Sequence, residues 1–232
     1  MNFEWNENTV RWYQDAERYT GFFKNIAELV GPKVAEYSSL CDIGCGIGLV
    51  DSQLSKYIDR ITCIDSHPYA IEMLRQRIQA EKIRNITPVL MDCNAIEERW
   101  DVIFISFFGS RELEQFLPRC KRLIAVVGRK SQTELYPEKY RKFQKNTSEE
   151  VEENLNSKGI PYSLTETAFE FGQPFRSEED ARDFIRTQSH DINPGDLEDF
   201  LSERLVETGK EDFPFYLPRQ KAVGIFEIEG RL

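Results

Sequence analysis

The sequence predicts an α/β fold built on a doubly wound, mostly parallel sheet. Three observations carry that reading. Between Ser39 and Gly128, short apolar runs alternate with segments of helical spacing. The runs are apolar at consecutive positions, as strands covered on both faces by helices must be. The first run closes in a glycine-rich turn, Asp42-Ile43-Gly44-Cys45-Gly46-Ile47-Gly48, suited to a parallel strand that hands over to a helix. Right-handed crossovers then wind helices onto both sides of the sheet.

Each element has a local reason. Trp12, Ala16, Tyr19, Phe23, Ile26 and Val30 recur every three or four residues, an apolar stripe along a pair of N-terminal helices. Gly21 divides the stripe, and Gly31-Pro32 is expected to end it, a C-cap glycine followed by a residue that breaks helices. Strands are expected at 39–44, 61–65, 86–92, 101–106 and 122–128, with helices at 47–58, 68–82 and 110–118 between them. Beyond Gly128, Thr147-Ser148-Glu149-Glu150 caps a helix running towards Gly159, and 162–171 alternates as a strand. Ser177-Glu178-Glu179-Asp180 is a capping-box pattern ahead of Ala181, Phe184 and Ile185. Asn193-Pro194 opens a helix carrying Leu197, Phe200, Leu201 and Leu205. A final strand spans 222–228, so two helices are inserted before it. The chain reads as one domain, 1–232, with N-terminal helices at 1–37, a core at 38–128 and a C-terminal part at 129–232.

Composition narrows the function. Thirty Lys and Arg against 40 Asp and Glu give a net charge of −10 and a pI near 4.9. A field of that sign repels phosphate backbones and anionic lipid, so neither nucleic acid nor a membrane is the expected partner. No run approaches the length of a membrane-spanning helix. The N-terminus is polar and acidic where a secretory signal would be basic and then apolar, and a cytoplasmic location is expected. Five cysteines at irregular spacing fit reduced thiols, and neither they nor the two histidines are spaced as a metal site. No metal is expected.

The chemistry gathers at the strand ends. Glycines at 44, 46 and 48 allow a sharp turn and a close approach of backbone N–H groups to a ligand. A dinucleotide fingerprint would want a third glycine at 49, where Leu49 stands. Asp65 closes the second strand 23 residues after Asp42, placed to accept hydrogen bonds from ribose hydroxyls. Asp92 closes the third, where an acceptor meets an adenine amino group. Asp101 opens the fourth strand, which leads to Ser106, Phe107 and Phe108.

A GxGxG loop after an acidic residue, with carboxylates at three successive strand ends, resembles the class I S-adenosylmethionine-dependent methyltransferases over about residues 39–128. The resemblance implies a Rossmann-like sheet of the seven-stranded methyltransferase type and S-adenosyl-L-methionine as cofactor. It implies that Gly44, Cys45 and Gly46 pack against the methionine part, with Asp42 ordering the loop and reaching towards the cofactor's amino group. Asp65 would hold the ribose, Ser66 and His67 would flank the adenine, and Asp92 and Cys93 would lie at its edge. Ser106 and Phe107 would face the transferred methyl, and Tyr19 would close over the cofactor. The Pro-Pro-Tyr motif of amino-methylating DNA enzymes is absent after the fourth strand, and Ser110-Arg111-Glu112-Leu113-Glu114 lacks the paired glutamates of arginine methyltransferases. What is left is the broad group acting on small molecules, with methylation of a protein side chain, or cofactor binding without catalysis, as rivals. No residue stands out as a general base, and transfer from a sulfonium can run on alignment and desolvation. Acceptor selection is expected in residues 1–30 and 129–221, with Trp12, Phe143, Phe175, His190 and Phe200 as lining candidates.

Overall fold

A computed structural model describes residues 3–107, 112–130, 134–142 and 146–232. Phe108, Ser110, Arg111 and Phe143, and with them the first two residues of the helix expected over 110–118, lie outside them. In chain order the elements are α1 (Glu7–Thr20), α2 (Phe22–Val34), β1 (Ser39–Ile43), α3 (Asp51–Leu54), β2 (Arg60–Asp65), α4 (Pro68–Ala80), β3 (Ile86–Leu90), β4 (Trp100–Ser106) and β5 (Cys120–Gly128). There follow α5 (Ser148–Ser157), β6 (Ser163–Glu170), β7 (Gln173–Phe175), α6 (Glu178–Gln188), α7 (Pro194–Arg204), β8 (Val206–Glu207), β9 (Phe215–Leu217) and β10 (Gln220–Glu229). The chain folds into two compact units, one comprising 1–22, 131–145 and 168–221, the other 23–130, 146–167 and 222–232.

The larger unit is organised by a seven-stranded sheet in the order β3-β2-β1-β4-β5-β10-β6. Strands β1 to β5 are parallel to their neighbours, and β10 runs antiparallel to β5. Strand β4 shows why central strands read as apolar runs. Val102, Ile103, Phe104 and Ile105 point alternately to opposite faces, and all four are at most 1% exposed. On one face Ile103, Ile105, Leu123 and Ala125 pack with Phe116, Leu117, Val151 and Leu155. Asp101 at the start of β4 is structural: its carboxylate accepts from the Ser38 and Ser39 amides at 3.1 Å and pairs with Lys121 at 2.7 Å.

Three local expectations are corrected here. Helix α2 does not end at Gly31-Pro32 but runs to Val34. Gly31 is there because the Tyr57 ring lies where a Cβ would be, within 2.7 Å, and Pro32 falls in the last turn, where it forgoes the helical bond to the Glu28 carbonyl and the helix ends two residues later. Residues 47–58 form turns around the four-residue helix α3 rather than one long helix. Residues 113–119 form 3₁₀ turns that contain Pro118. Capping fared better: Thr147 and Glu150 form a reciprocal capping box on α5, and Gly159 takes the left-handed conformation that stops the chain there.

The smaller unit gathers α1, α6 and α7 with a three-stranded sheet ordered β7-β9-β8. Its core joins Trp12, Phe175, Phe184, Ile185, Leu197, Leu201 and Leu217. Asp180 ties it together. Its carboxylate accepts from Arg11 at 2.6 and 3.0 Å, from the Trp12 indole N–H at 2.9 Å and from the Arg176 amide at 3.2 Å. Burial pushes against the ionised form, but these donors prevail and hold the carboxyl below its usual range.

A lowered pKa means that the unfolded chain binds this proton more readily, so the stability it gives is present near neutral pH and lost as pH falls through the acid range. Asp180→Ala is expected to cost about 1.5–3 kcal/mol at pH 7, the range for hydrogen bonds to a charged group. Urea unfolding should show that loss at pH 7 and a much smaller difference from the parent near pH 3.

Candidate functional site

The parallel strands β1 to β4 all point one way, so their C-terminal ends share one edge of the sheet. There the chain brings together 44–48 after β1, 65–67 after β2, Asp92 and Cys93 after β3, and Ser106 and Phe107 after β4. The glycine loop depends on left-handed backbone at Gly44, Gly46 and Gly48. At Gly48 the requirement is twofold, because φ is +68° and a Cβ would come within 2.3 Å of a Leu74 methyl on α4.

The loop amides are spent on the protein, contrary to the expectation that they face a ligand. Gly44 and Cys45 both donate to the Ile64 carbonyl, at 2.8 and 3.1 Å, and Gly48 donates to the Cys45 carbonyl at 3.0 Å. Gly46 donates to Asp65 Oδ2 at 2.9 Å. What the glycines offer is therefore room for a ligand to lie against bare backbone. Asp65 Oδ1 accepts from the His67 amide at 2.8 Å. Each oxygen retains a lone pair for a further donor, so the carboxylate can clamp the loop and hold ribose hydroxyls together.

Around this frame, Ser66 is exposed, and the His67 side chain makes no capping bond to α4. Its Nδ1 is buried without a partner in the protein. Asp92 Oδ1 accepts from the Asn94 amide and side chain at 2.8 and 2.9 Å, capping a short 3₁₀ turn. Cys93 is half-buried, and burial followed by the charge of Asp92 raises its thiol pKa. The Cys45 thiol turns inward to a hydrogen bond with Cys63, and burial pushes it up to about 12, so it is an inert small residue. Phe107 has φ of +54°, an uncommon conformation for a bulky residue, fixed by its amide's 2.9 Å bond to the Val126 carbonyl.

Beneath the loop lies a pair that the sequence did not reveal. Asp42 and Asp51 are each 1% exposed and share a hydrogen bond. Burial, with the mutual repulsion of the two charges, raises Asp42 well above the usual carboxylate range, and burial brings Asp51 to about 6. Two buried carboxylates so placed favour holding a proton between them over carrying two charges under the glycine turn. The one signal was an acidic residue directly after the apolar Leu49-Val50.

Three predicted contacts fall in the smaller unit. Trp12 is 1% exposed and donates to Asp180, so its side chain forms part of that unit's core. Tyr19 stacks on Tyr216 with ring centroids 4.5 Å apart, and Lys210 sits 3.8 Å from its ring centre. His190 is an exposed side chain 3.2 Å from Asp191. Among the described residues no cluster of His, Cys, Asp and Glu has the arrangement of a metal site, and no helix is long and apolar enough to cross a membrane.

A mostly parallel sheet with a glycine turn and carboxylates at successive strand ends defines a protein of the class I methyltransferase fold. Residues 40–128 match the family model described as a methyltransferase domain. No curated protein matches the chain. Among solved structures, YcgJ from Bacillus subtilis superposes with a TM-score of 0.56 at 13% identity, covering 89% of this chain and 98% of that one. A precorrin-6y C5,15-methyltransferase from Geobacter metallireducens gives 0.52 at 13% identity, covering 88% and 89%. A protein from Pyrococcus horikoshii described as a candidate RNA methyltransferase gives 0.52 at 10%, covering 90% and 85%. The methyltransferase-domain match thus covers the sheet edge that carries the glycine turn, Asp65 and Asp92.

Two substitutions test the site. Asp65→Ala should lower S-adenosylhomocysteine affinity by about tenfold or more in isothermal titration, because a charged acceptor and a loop clamp go together. Asp42→Asn should act on stability instead. An acid whose pKa is raised on folding gives stability at low pH that is lost as pH rises through the folded value. The parent should thus lose stability between the ordinary carboxylate value of 3.8 and about 6 and beyond. In thermal unfolding Asp42→Asn should flatten that decline and be the more stable protein at pH 8.

Proposed function

We propose that the chain transfers the methyl group of S-adenosylmethionine to a small organic acceptor. The observation that supports this best is Phe107. A bulky residue held at positive φ costs free energy, and such strain collects at functional sites. It sits at the end of β4, next to Ser106, where an aromatic wall would exclude water from the acceptor. The acceptor class draws further support from the net charge of −10, which works against a polyanionic substrate. The fold does not decide the matter, since similar structures include both a precorrin methyltransferase and a candidate RNA methyltransferase.

When bound, the cofactor supplies a methyl group already activated on a sulfonium. The residues around it would bind and orient. Gly44 and Gly46 leave room beside the backbone, Asp65 accepts the ribose hydroxyls, and Ser66 and His67 flank the adenine with Asp92 and Cys93 at its edge. Asp42 acts from below, through its hydrogen bond with Asp51, as support for the loop. Ser106 and Phe107 shape the space before the methyl. No side chain is assigned as a general base, because alignment in a dry site suffices for displacement at an activated carbon.

Fractionated cell extract provides the test. Incubation of the protein and S-adenosylmethionine with the low-mass filtrate should yield S-adenosylhomocysteine, and the macromolecular retentate should not. Phe107→Gly should leave S-adenosylhomocysteine affinity nearly unchanged while slowing that turnover by about tenfold or more, as expected when positioning is lost. Turnover with the retentate alone would mean a macromolecular acceptor. Tight cofactor binding with no product in either fraction would mean a binding protein without catalysis.

A further inference from the structure

The opposite edge of the sheet carries a feature that methyl transfer does not use. Strands β3 and β4 are joined by residues 91–99, which contain only a three-residue 3₁₀ turn at Cys93–Ala95. Without a covering helix there, Thr87 is left exposed and Thr62 half-exposed, directly across from each other in the register of β2 and β3. Trp100 bridges towards them, its indole N–H donating to Thr62 Oγ1 at 3.2 Å. The result is a groove of about 440 Å³ at the N-terminal ends of the strands.

Its charge is the informative part. Arg60, Arg84 and Arg99 line it, and no Asp or Glu does, in a chain with 40 acidic residues. None of the three guanidinium groups makes an ion pair or hydrogen bond among the described residues. Elsewhere arginines such as Arg77, Arg182 and Arg186 lie against carboxylates. The nearest acid by sequence with a defined role, Asp101, is taken up by Lys121 and the Ser38 and Ser39 amides. Asp59, Glu97 and Glu98 adjoin the arginines in sequence but do not line the groove.

We propose that this groove binds a small ligand carrying two or three linked phosphates. Guanidinium groups present forked donors that match phosphate oxygens two at a time. Three of them balance the charge of a diphosphate or triphosphate better than that of a single phosphate. Thr62 and Thr87 add hydroxyl donors on the floor. An extended nucleic acid is disfavoured, because its backbone would leave the groove and meet the acidic field of the rest of the chain. S-adenosylmethionine has no phosphate and belongs at the other edge, so the two sites are separate.

Titration of the full chain with sodium pyrophosphate and sodium triphosphate at fixed ionic strength tests the proposal. Either should bind with one-to-one stoichiometry and shift the Trp100 indole resonance in a nitrogen-correlated spectrum, and orthophosphate should bind roughly tenfold or more weakly. The triple variant Arg60→Gln/Arg84→Gln/Arg99→Gln should lose binding by about tenfold or more, and Arg75→Gln, a surface control on α4, should not. S-adenosylhomocysteine should bind the triple variant as it binds the parent, which shows an intact fold and keeps this result apart from the methyltransferase assignment. Equal pyrophosphate binding by parent and triple variant would overturn the proposal. So would the absence of both heat and indole shift in the parent, or binding of single-stranded RNA without binding of either inorganic anion.

Discussion

The end of β2 holds the functional edge together. One carbonyl, that of Ile64, takes the amides of Gly44 and Cys45, and one carboxylate, that of Asp65, takes the amides of Gly46 and His67. The glycine turn after β1 is therefore shaped by its neighbour strand as much as by its own sequence. This arrangement needs β2 in a single register. Five consecutive residue pairs to β1 and five to β3 provide it, and a slip by one residue would exchange every inward side chain for its outward neighbour. The same strand supplies Cys63 to the thiol of Cys45 and Thr62 to the indole of Trp100.

Burying two carboxylates beneath that turn is a costly choice unless a proton is shared. Asp42 and Asp51 solve the problem by hydrogen-bonding to each other. Sharing a proton in this way keeps the floor of the site from carrying two uncompensated charges. The arrangement also explains why Asp42 is best viewed as support for the loop: at 1% exposure its carboxyl has little surface to offer a ligand directly.

Much of this was legible in the sequence, for physical reasons that also mark where legibility stopped. Strands β1, β2, β4 and β5 were visible because their residues are buried on both faces and leave continuous apolar runs. The capping residues Thr147 and Ser177 announced α5 and α6 through chemistry that acts within three residues. Gly31 misled because a packing glycine beside Tyr57 looks the same in sequence as a C-cap. Strands β7, β8 and β9 escaped notice because two or three residues are too few to show alternation. In the site, the spacing placed Asp65 and the glycines at neighbouring strand ends, and their roles toward a cofactor came only from the family resemblance. Asp51, the Ile64 carbonyl and the arginine groove were not, since each depends on which residues the sheet brings side by side.

The reversal of β10 has a practical consequence. Its first residues lie beside the end of β5, Val223 opposite Gly128, and its last lie beside the start, Glu229 opposite Arg122. Whatever is joined to the chain beyond Glu229 emerges at the strand starts, away from the glycine turn and on the arginine side of the sheet. A fluorophore or an immobilising tag placed there would leave the cofactor edge unobstructed. Surface-coupled measurements through such a tag would hold the cofactor edge facing away from the support.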